Sequence, residues 1–457
     1  MWDDSRPTVL AKGMLFPDKE RLSRPAKMYM AALQHFNPGT VVEWKLERSS
    51  RRPEYIFNYM FWAFKPAIDG FSHCWPVIST DGTHVYEKYD IKLLIVVAVD
   101  DNGQIFPLTL AICANESQET LILFLNYLKE HVVKQHSGIC LISDRHGGIL
   151  SFVENLHAWQ EPYAYHRYCV RHLKANFQKV HPNKDLHNLM WMVATEHQEH
   201  KFWRYMESIR QEDEKAYHWL MRHELDKWTL HVDSGRRWGI LTTNVSESFN
   251  GILKSARGLP VTAMVRMSFK QIAERFVERA AAATSLMERG VEFMPLSMKR
   301  FEKYRRRAHW HSFLQYGHDR NVFEVRIAIY QNRGNNVHTI NGSTRLCSCG
   351  KWFYHMPCSH AISCFQHVGL GPTNYVDKQY SVAAYLNTYS RQLQPVQKRT
   401  RIRNQMDVSD TVYGRKCGIY SQIGHDRRKC PLAGLGGGGN LAPGGSSSNV
   451  PNYQGYT

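Results

Sequence analysis

A run of strand-like and helix-like segments between Trp75 and Cys169 most strongly limits what this chain can fold into. Short apolar and β-branched runs predict strands at 76–81, 91–99, 104–113, 139–143 and 163–168, and amphipathic runs predict helices at 117–131 and 147–158. The segment Asp100-Asp101-Asn102-Gly103 is a hairpin turn, because Asn and Gly tolerate positive φ. Three antiparallel strands followed by two strands reached through helical crossovers predict a mixed sheet covered by helices.

Two carboxylates lie at the ends of predicted strands in this block. Asp81 ends the first strand and Asp144 ends the fourth. The strand order is that of a ribonuclease H-like fold, in which the first and fourth strands are neighbours, so both side chains are expected at one edge of the sheet. Carboxylates paired in this way hold two divalent ions about 4 Å apart for phosphoryl transfer, and Mg²⁺ or Mn²⁺ prefers such oxygen ligands. The alternative is that each aspartate only caps a turn.

Apolar residues recur at helical spacing outside this block as well. They do so at 57–68, at roughly 170–230 and from 244 to 290, which predicts a helix before the core and an all-helical region after it. Glu247 lies in the first turn of a helix that Thr243 or Asn244 is expected to cap. Glu247 is either a carboxylate stabilised by the helix dipole or a third metal-binding carboxylate.

The most specific single motif is a set of four metal ligands near the C-terminus. Cys347 and Cys349 are separated by one residue, and Cys358 and His360 have the same spacing. Three thiolates and one imidazole complete the tetrahedral coordination of zinc and leave no open position for chemistry. Cysteines scattered through a hydrophobic core rarely occur in this order. The sequence therefore predicts a structural zinc site.

The charge balance favours a polyanionic partner. The chain has 58 Lys and Arg against 41 Asp and Glu, a formal net charge of +17, and nucleic acid is the leading candidate. Basic residues cluster at 299–307 and 398–403. Each cluster is either a set of phosphate contacts, a solvated face or a localisation signal. No apolar run approaches the roughly 20 residues of a membrane helix. The chain has ten cysteines, four of them in the metal motif, which fits a reducing compartment better than a disulfide framework. We therefore expect a soluble intracellular protein with no membrane partner.

Several short motifs follow one another in an order that is more specific than any of them alone. They are Asp81-Gly82-Thr83, Ser143-Asp144-Arg145, the run from His166 to Leu173, and Thr243-Asn244 with Glu247-Ser248-Phe249-Asn250. In this order they resemble the transposase core of plant Mutator-like elements (MULE). The pattern from Cys347 to His360 resembles the SWIM-type zinc finger that this family carries behind its core. The similarity covers about residues 30–430.

The resemblance implies a DDE-type recombinase that nicks and rejoins DNA at element ends. It assigns Asp81, Asp144 and Glu247 to the catalytic Mg²⁺ or Mn²⁺ ions, with a helical insertion between the second and third carboxylates. The third assignment stays open, because three other glutamates lie in the same interval: Glu196, Glu199 and Glu207. The expected location is the nucleus, the expected partner is DNA, and a homo-oligomer is a further expectation.

The same resemblance directs attention to a Cys-x-x-His motif after the last core strand. Cys169 and His172 have a spacing that puts both on one helical face near the acidic site. They either tune this site, contact DNA or only pack. Zinc binding by two ligands alone is not expected.

The sequence departs from the family pattern at both ends. A C-terminal zinc knuckle is degenerate, because Tyr420 stands at its second cysteine position and leaves three ligands: Cys417, His425 and Cys430. The family's additional N-terminal DNA-binding domain is expected to be missing from residues 1–70. These departures keep a second function open, that of a domesticated or decayed relative that binds DNA or protein partners, or regulates transcription, without cutting. A nuclease of another ribonuclease H-like kind is disfavoured by the helical insertion and the zinc motif.

The predicted fold is α/β plus α, with a ribonuclease H-like mixed-sheet core, an all-helical insertion and a small zinc-binding SWIM module. The predicted domains are an N-terminal helical and extended segment (1–70), the core (71–175), the insertion (176–240), a helical segment completing the core (241–310), a β unit with the zinc finger (311–395), a basic segment with the degenerate knuckle (396–431) and a disordered Gly/Ser-rich tail (432–457).

Overall fold

The structure is a computed structural model that describes residues 15–16, 24–48, 55–86, 91–114, 116–257, 259, 261–316, 322–327 and 336–396. The predicted zinc knuckle, the second basic cluster and the Gly/Ser-rich tail lie outside these residues. Among the helices in the described ranges, none is long and apolar enough to cross a membrane.

A mixed eight-stranded sheet forms the centre of the fold. Its order is β1-β3-β6-β5-β4-β7-β8, and β2 also pairs with β3. The strands are β1 (Leu15–Phe16), β2 (Val41–Arg48), β3 (Tyr55–Ala63), β4 (Trp75–Tyr86), β5 (Ile91–Val99), β6 (Ile105–Cys113), β7 (Ile139–Ser143) and β8 (Ala164–Tyr168). The β4–β7 and β7–β8 pairs are parallel and the others are antiparallel. The predicted mixed sheet is confirmed, and so is the neighbouring position of the first and fourth predicted strands, which are β4 and β7.

The helix predicted at 57–68 is wrong. Most of this segment belongs to β3, which pairs with both β2 and β6, and α2 (Lys65–Gly70) follows it. Four successive side chains of β3 are fully buried, namely Tyr59, Met60, Phe61 and Trp62. A strand that is covered on both faces has an unbroken apolar sequence, and periodicity alone does not separate such a run from a buried helix.

Helices cover the sheet. They are α1 (Arg24–Phe36), α3 (Gln118–Tyr127), which continues as a π-helical segment to Val133, and α4 (Gly147–Asn155). In β5, eight of nine residues are buried, which explains why its sequence is an almost continuous run of Leu, Ile and Val. The hairpin predicted between β5 and β6 is confirmed: Gly103 adopts a positive φ of 73°, and its N–H donates to the Asp100 carbonyl over 2.8 Å.

An all-helical insertion follows β8, as predicted. It contains α5 (Val170–Val180), α6 (Lys184–Thr195), α7 (Glu199–Glu212) and α8 (Glu214–Met221), which share a core that includes Phe177, Met190 and Phe202. A buried ion cluster ties the insertion to the sheet: Asp233 Oδ1 lies 3.2 Å from Nε of both Arg167 and Arg237. Removing one member of such a cluster leaves a buried charge unpaired, so the cluster fixes where the insertion joins β8.

After the insertion the chain returns to the sheet through α9 (Asn244–Ile252), α10 (Lys254–Arg257) and α11 (Val261–Glu288). α9 lies against β4, β5 and β6. α11 lies within the segment from 244 to 290 whose apolar spacing predicts helix, and its buried face includes Met264, Phe269, Ile272 and Phe276.

The last described part is a small β unit flanked by helices. β9 (His311–Gln315), β10 (Val322–Ile327), β11 (Val337–Asn341) and β12 (Leu346–Cys347) form an antiparallel sheet in the order β12-β11-β10-β9. α12 (Pro295–Ala308) precedes the unit, α13 (Ser359–His367) packs on it and on α12, and α14 (Val382–Tyr389) packs on α11.

Candidate acidic site and zinc site

Parallel pairing of β4 with β7 brings Asp81 and Asp144 to the same edge of the sheet, where β7 ends. The prediction that Asp81 ends its own strand is wrong: β4 continues to Tyr86, because it stays paired with β5 beyond the end of β7, and Asp81 is itself aligned with Ile95. Ser79 in β4 is aligned with Ile142 in β7, and each aspartate lies two residues further along its chain. Asp144 comes directly after β7, where its Oδ1 accepts a hydrogen bond from the His146 N–H over 3.2 Å. The register of the sheet therefore decides which two carboxylates meet.

Helix α9 supplies the third carboxylate of this edge. The Ser246 hydroxyl in α9 lies 2.9 Å from the Ser79 hydroxyl in β4, and both are buried, which anchors the helix to the strand. Asn250 Nδ2 donates to Asp81 Oδ2 over 2.5 Å. Glu247 is one helical turn before Asn250 on the same face, and its charge acts on Asp81. We call Asp81, Asp144 and Glu247 together the acidic site.

The pKa of Asp81 is raised to about 6. Burial is the largest cause, and the negative charges of Glu247 and Asp144 add to it, whereas the hydrogen bond from Asn250 and the nearby His172 act in the opposite direction. Three carboxylates with too little compensating charge form the kind of donor set that a divalent cation stabilises. The residues of the acidic site thus fit Mg²⁺ or Mn²⁺ by their chemistry.

Glu247 is held by donors from the start of the insertion. Arg171 Nη2 donates to Glu247 Oε1, and the Thr243 hydroxyl donates to the same oxygen over 3.1 Å. His172 Nε2 lies 3.9 Å from this oxygen. The prediction that Thr243 caps α9 through its side chain is wrong, because this hydroxyl contacts Glu247 and not the backbone of the first turn. Arg171 would therefore compete with a metal ion for Glu247 Oε1.

Cys169 lies beneath this network. It is buried, and its Sγ accepts hydrogen bonds from the Thr243 N–H and hydroxyl, both over 3.3 Å. Burial alone would raise the pKa of the thiol. Hydrogen bonds with His172 and Thr243 outweigh this effect, so the pKa is lowered from its usual value to about 7. The pKa of His172 is raised, chiefly by its interaction with Cys169. Cys169 and His172 therefore lie beside the acidic site and support the residues that hold Glu247.

Sequence reasoning missed Arg171 and Asn250 as members of the site. A signal was present for Asn250, because a residue three positions after Glu247 in a helix lies on the same face. Arg171 carried no such signal, since its contact with Glu247 joins two segments that are 76 residues apart.

The four predicted zinc ligands converge at the junction of β12 and α13. Cys347 ends β12, Cys358 precedes α13 and His360 lies in its first turn. His360 Nδ1 is 3.6 Å from Cys347 Sγ and 3.8 Å from Cys358 Sγ, and all four side chains are buried. Ligand atoms around a tetrahedral zinc ion are separated by roughly 3.5–3.8 Å. The Cys3His cluster therefore fits a structural zinc ion.

The Cys3His cluster is tighter than the acidic site. In the described residues, it is the only group of three or more metal-ligating side chains whose ligand atoms all lie within 4.8 Å of one another. The four ligand atoms of the Cys3His cluster thus converge, whereas the three carboxylates are close enough to influence one another but do not form such a compact group.

The zinc-binding segment is docked on the helical insertion. His197 Nε2, between α6 and α7, lies 2.8 Å from the Tyr354 hydroxyl, and the His355 ring stacks on Trp238 at 3.8 Å. Gly350, with φ of 71°, allows the turn between the two ligand pairs, and a Cβ at this position would lie 2.6 Å from the His197 side chain. Turn geometry and close packing both require glycine here.

One region of the chain matches a known protein family. Residues 77–176 match the MULE transposase domain. The matched MULE domain runs from β4 into α5 and contains Asp81, Asp144, Cys169 and His172, whereas Glu247 and the zinc ligands lie beyond it. No curated protein matches the chain. The MULE domain supports a function derived from a transposase.

Proposed function

We propose that this chain is a DNA transposase that cleaves and transfers strands at an acidic site formed by Asp81, Asp144 and Glu247. The observation that carries the proposal is the convergence of three carboxylates, from β4, β7 and α9, on an edge that the MULE domain provides. The order of β4 to β8 supports a ribonuclease H-like core. Within the same proposal, the Cys3His cluster is a SWIM-type finger and the protein acts in the nucleus on DNA, either as a single chain or as a homo-oligomer.

The chemistry assigns separate tasks to the residues around the acidic site. Two divalent ions, when bound, stabilise the attacking and leaving oxygens of a phosphoryl transfer. Asp81 and Asp144 would hold these ions from adjacent elements of the sheet edge, and Asn250 orients the Asp81 carboxylate. Thr243 orients Glu247 through its hydroxyl. Arg171, once it releases Glu247, provides a cation for the phosphate backbone.

The proposal is tested by cleavage of DNA taken from the two flanks of the gene, where the proposed function requires terminal inverted repeats. The full chain should nick this DNA when Mn²⁺ or Mg²⁺ is present and not when only Ca²⁺ is present. Nicks should map to the repeat ends. Absence of cleavage with either ion would contradict the proposal and favour a relative that only binds.

A non-catalytic relative is the second candidate, and the Arg171–Glu247 ion pair is the observation that favours it. A guanidinium in this position satisfies the third carboxylate without a metal ion. In that case the acidic site is a structural ion-pair network, and the chain acts through its zinc module and DNA or protein partners.

Replacing Arg171 separates these two candidates. Arg171→Ala should increase the affinity for Mn²⁺ several-fold, because Glu247 no longer has to break an ion pair before it binds a cation. Isothermal titration without DNA measures this change, and Lys179→Ala, an exposed substitution on the same helix, is the matched control. A wild-type chain and an Arg171→Ala variant that both fail to bind Mn²⁺ would support the non-catalytic candidate.

The affinity for Mn²⁺ should also depend on pH. Asp81 has a pKa of about 6, so its carboxylate is protonated below this value and ionised above it. Because a proton and a cation compete for the same oxygens, the affinity should fall by up to about tenfold for each pH unit below 6. Asn250→Ala removes a hydrogen bond that lowers the pKa of Asp81, so the midpoint should move to higher pH.

Titrations between about pH 5 and 8 check this dependence. Asn155→Ala is the matched control, because this amide makes only local hydrogen bonds to Ser151. A midpoint that stays at the same pH in Asn250→Ala would show that Asp81 does not govern metal binding.

A further inference from the structure

The outer side of α12 carries a line of cations that ends at an exposed tryptophan. Lys299, Lys303, Arg306 and Trp310 are spaced by four, three and four residues, which places them along one side of the helix and its C-terminal turn. All four are exposed, and Trp310, at 71%, is the most exposed of the large apolar side chains in the described part of the chain. We call these four residues the basic face.

The cations of the basic face have no acidic partner among the described residues. The acidic residue of α12, Glu302, lies beside this line and is paired with Arg305 over 2.9 Å. A further exposed arginine, Arg307, follows Arg306 of the basic face. Positive charge that is not neutralised within the protein is available to a polyanion.

The basic face is held rigidly by its connection to the zinc module. Phe301 and Ala308, on the inner side of α12, are buried, and α12 packs on α13. Immediately after Trp310, the His311 Nε2 lies 3.0 Å from the Ser359 hydroxyl, and the His311 ring is 4.8 Å from the ring of His360. Trp310 therefore projects between two anchored residues, Ala308 and His311.

We propose that the basic face binds DNA that carries a single-stranded segment. Lys299, Lys303 and Arg306 contact successive phosphates of one strand, and Trp310 stacks on an unpaired base, which gives affinity without reading sequence. The eleven residue steps from 299 to 310, along α12 and the turn that follows it, span about 16 Å, which is the length of about five phosphates along one strand. A membrane surface is a poorer match, since the exposed side of α12 is cationic and has no continuous apolar stripe.

The basic face lies away from the acidic site. Ser297 of α12 donates to the Asp101 carbonyl, in the β5–β6 hairpin, over 3.5 Å. This hairpin is beside Trp75, at the start of β4, whereas Asp81 is six residues further along the strand, a separation of about 20 Å. The inference rests on the proposed function for its choice of DNA, but DNA bound at this distance does not depend on the carboxylates, so binding and cleavage are measured separately.

Two variants of the full chain test the basic face by fluorescence anisotropy. The probes are a blunt DNA duplex and the same duplex with an overhang of about five nucleotides. The double variant Lys303→Glu, Arg306→Glu should weaken binding of both probes at least about tenfold and lower the salt dependence by about two counterions. Trp310→Ala should weaken binding of the overhang probe by about tenfold and leave the blunt duplex within about twofold.

Matched controls carry the same chemical changes elsewhere on the surface. Lys215→Glu, Arg222→Glu reverses two exposed charges in the insertion, and Trp203→Ala removes a tryptophan that is 39% exposed. Both controls should leave affinity within about twofold of the wild type. Zinc content and the thermal midpoint of every variant confirm that it is folded.

Three outcomes would overturn the inference: affinities of the α12 variants that match the wild type, controls that weaken binding equally, or stronger binding of polyglutamate than of DNA. The two proposals fail in different ways. If the wild type cleaves DNA but the α12 substitutions leave DNA affinity unchanged, only the proposal for the basic face is contradicted. Binding through α12 without any Mn²⁺-dependent cleavage would contradict only the transposase activity.

Discussion

Asp144→Asn should lower the rate of Mn²⁺-dependent DNA nicking by about 10²–10³-fold. Asparagine keeps the shape of the side chain and still accepts the hydrogen bond from the His146 N–H. It loses the negative charge that, in the proposed mechanism, would hold divalent cations together with Asp81. Because the reaction depends on stabilising charge at the phosphate, losing one of three anionic ligands should reduce the rate far more than it reduces stability. Single-turnover nicking of end-labelled DNA gives this rate.

The matched control is Asp185→Asn, which removes the same charge from an exposed position in the first turn of α6. Its nicking rate should stay within about twofold of the wild type, because an exposed charge remote from the site contributes little. DNA affinity of the Asp144→Asn variant should not decrease, so the loss is in the chemical step. A variant that keeps more than half of the wild-type rate would remove Asp144 from the acidic site.

Cys358→Ser should abolish zinc binding and unfold the small β unit. The cluster offers three thiolates and one imidazole, and serine replaces a buried thiolate with a hydroxyl that binds zinc poorly. Zinc content should fall from about one ion per chain to below about 0.2. The free energy of unfolding of this module should fall by at least about 4 kcal/mol, because metal binding energy is folding energy in so small a core. Metal analysis of the purified protein and urea unfolding provide the two measurements.

Cys364→Ser is the control for this experiment. Cys364 lies in α13, within two turns of His360, and is fully buried, but it is not among the four converging ligands. Zinc content should remain near one ion per chain, with a modest loss of stability from burying a hydroxyl. Equal zinc loss in the two variants would point to general destabilisation and not to loss of a ligand.

The acidic site and the zinc site differ in how their ligands are preorganised. The zinc ligands come from one stretch of 14 residues, from 347 to 360, and already lie within 4.8 Å of one another. The carboxylates come from three elements and are partly engaged by protein donors, with Asn250 on Asp81 and Arg171 on Glu247. A metal ion at the acidic site would therefore compete with protein donors, whereas the four converging ligands of the Cys3His cluster come from one short segment.

Local sequence determined the parts that depend on short spacing. Two Cys and a Cys-x-His pair specify four ligands in one short segment, and the structure brings all four together. The hairpin at Asp100–Gly103 and the long helix α11 were likewise readable, because turn chemistry and a 3.6-residue period act between near neighbours. The strand order predicted the β4–β7 pair, and with it the meeting of Asp81 and Asp144.

The tertiary structure decided everything that depends on contacts between distant segments. The run from Tyr55 to Ala63 became a strand because β2 and β6 cover its two edges, which no local period reveals. Arg171 reached Glu247 because the insertion folds back to α9, and Trp310 became the end of a basic face because His311 is held against α13. Sequence fixes local geometry through backbone preferences, but packing selects the partners of each side chain, since their energies depend on burial and distance in the folded chain.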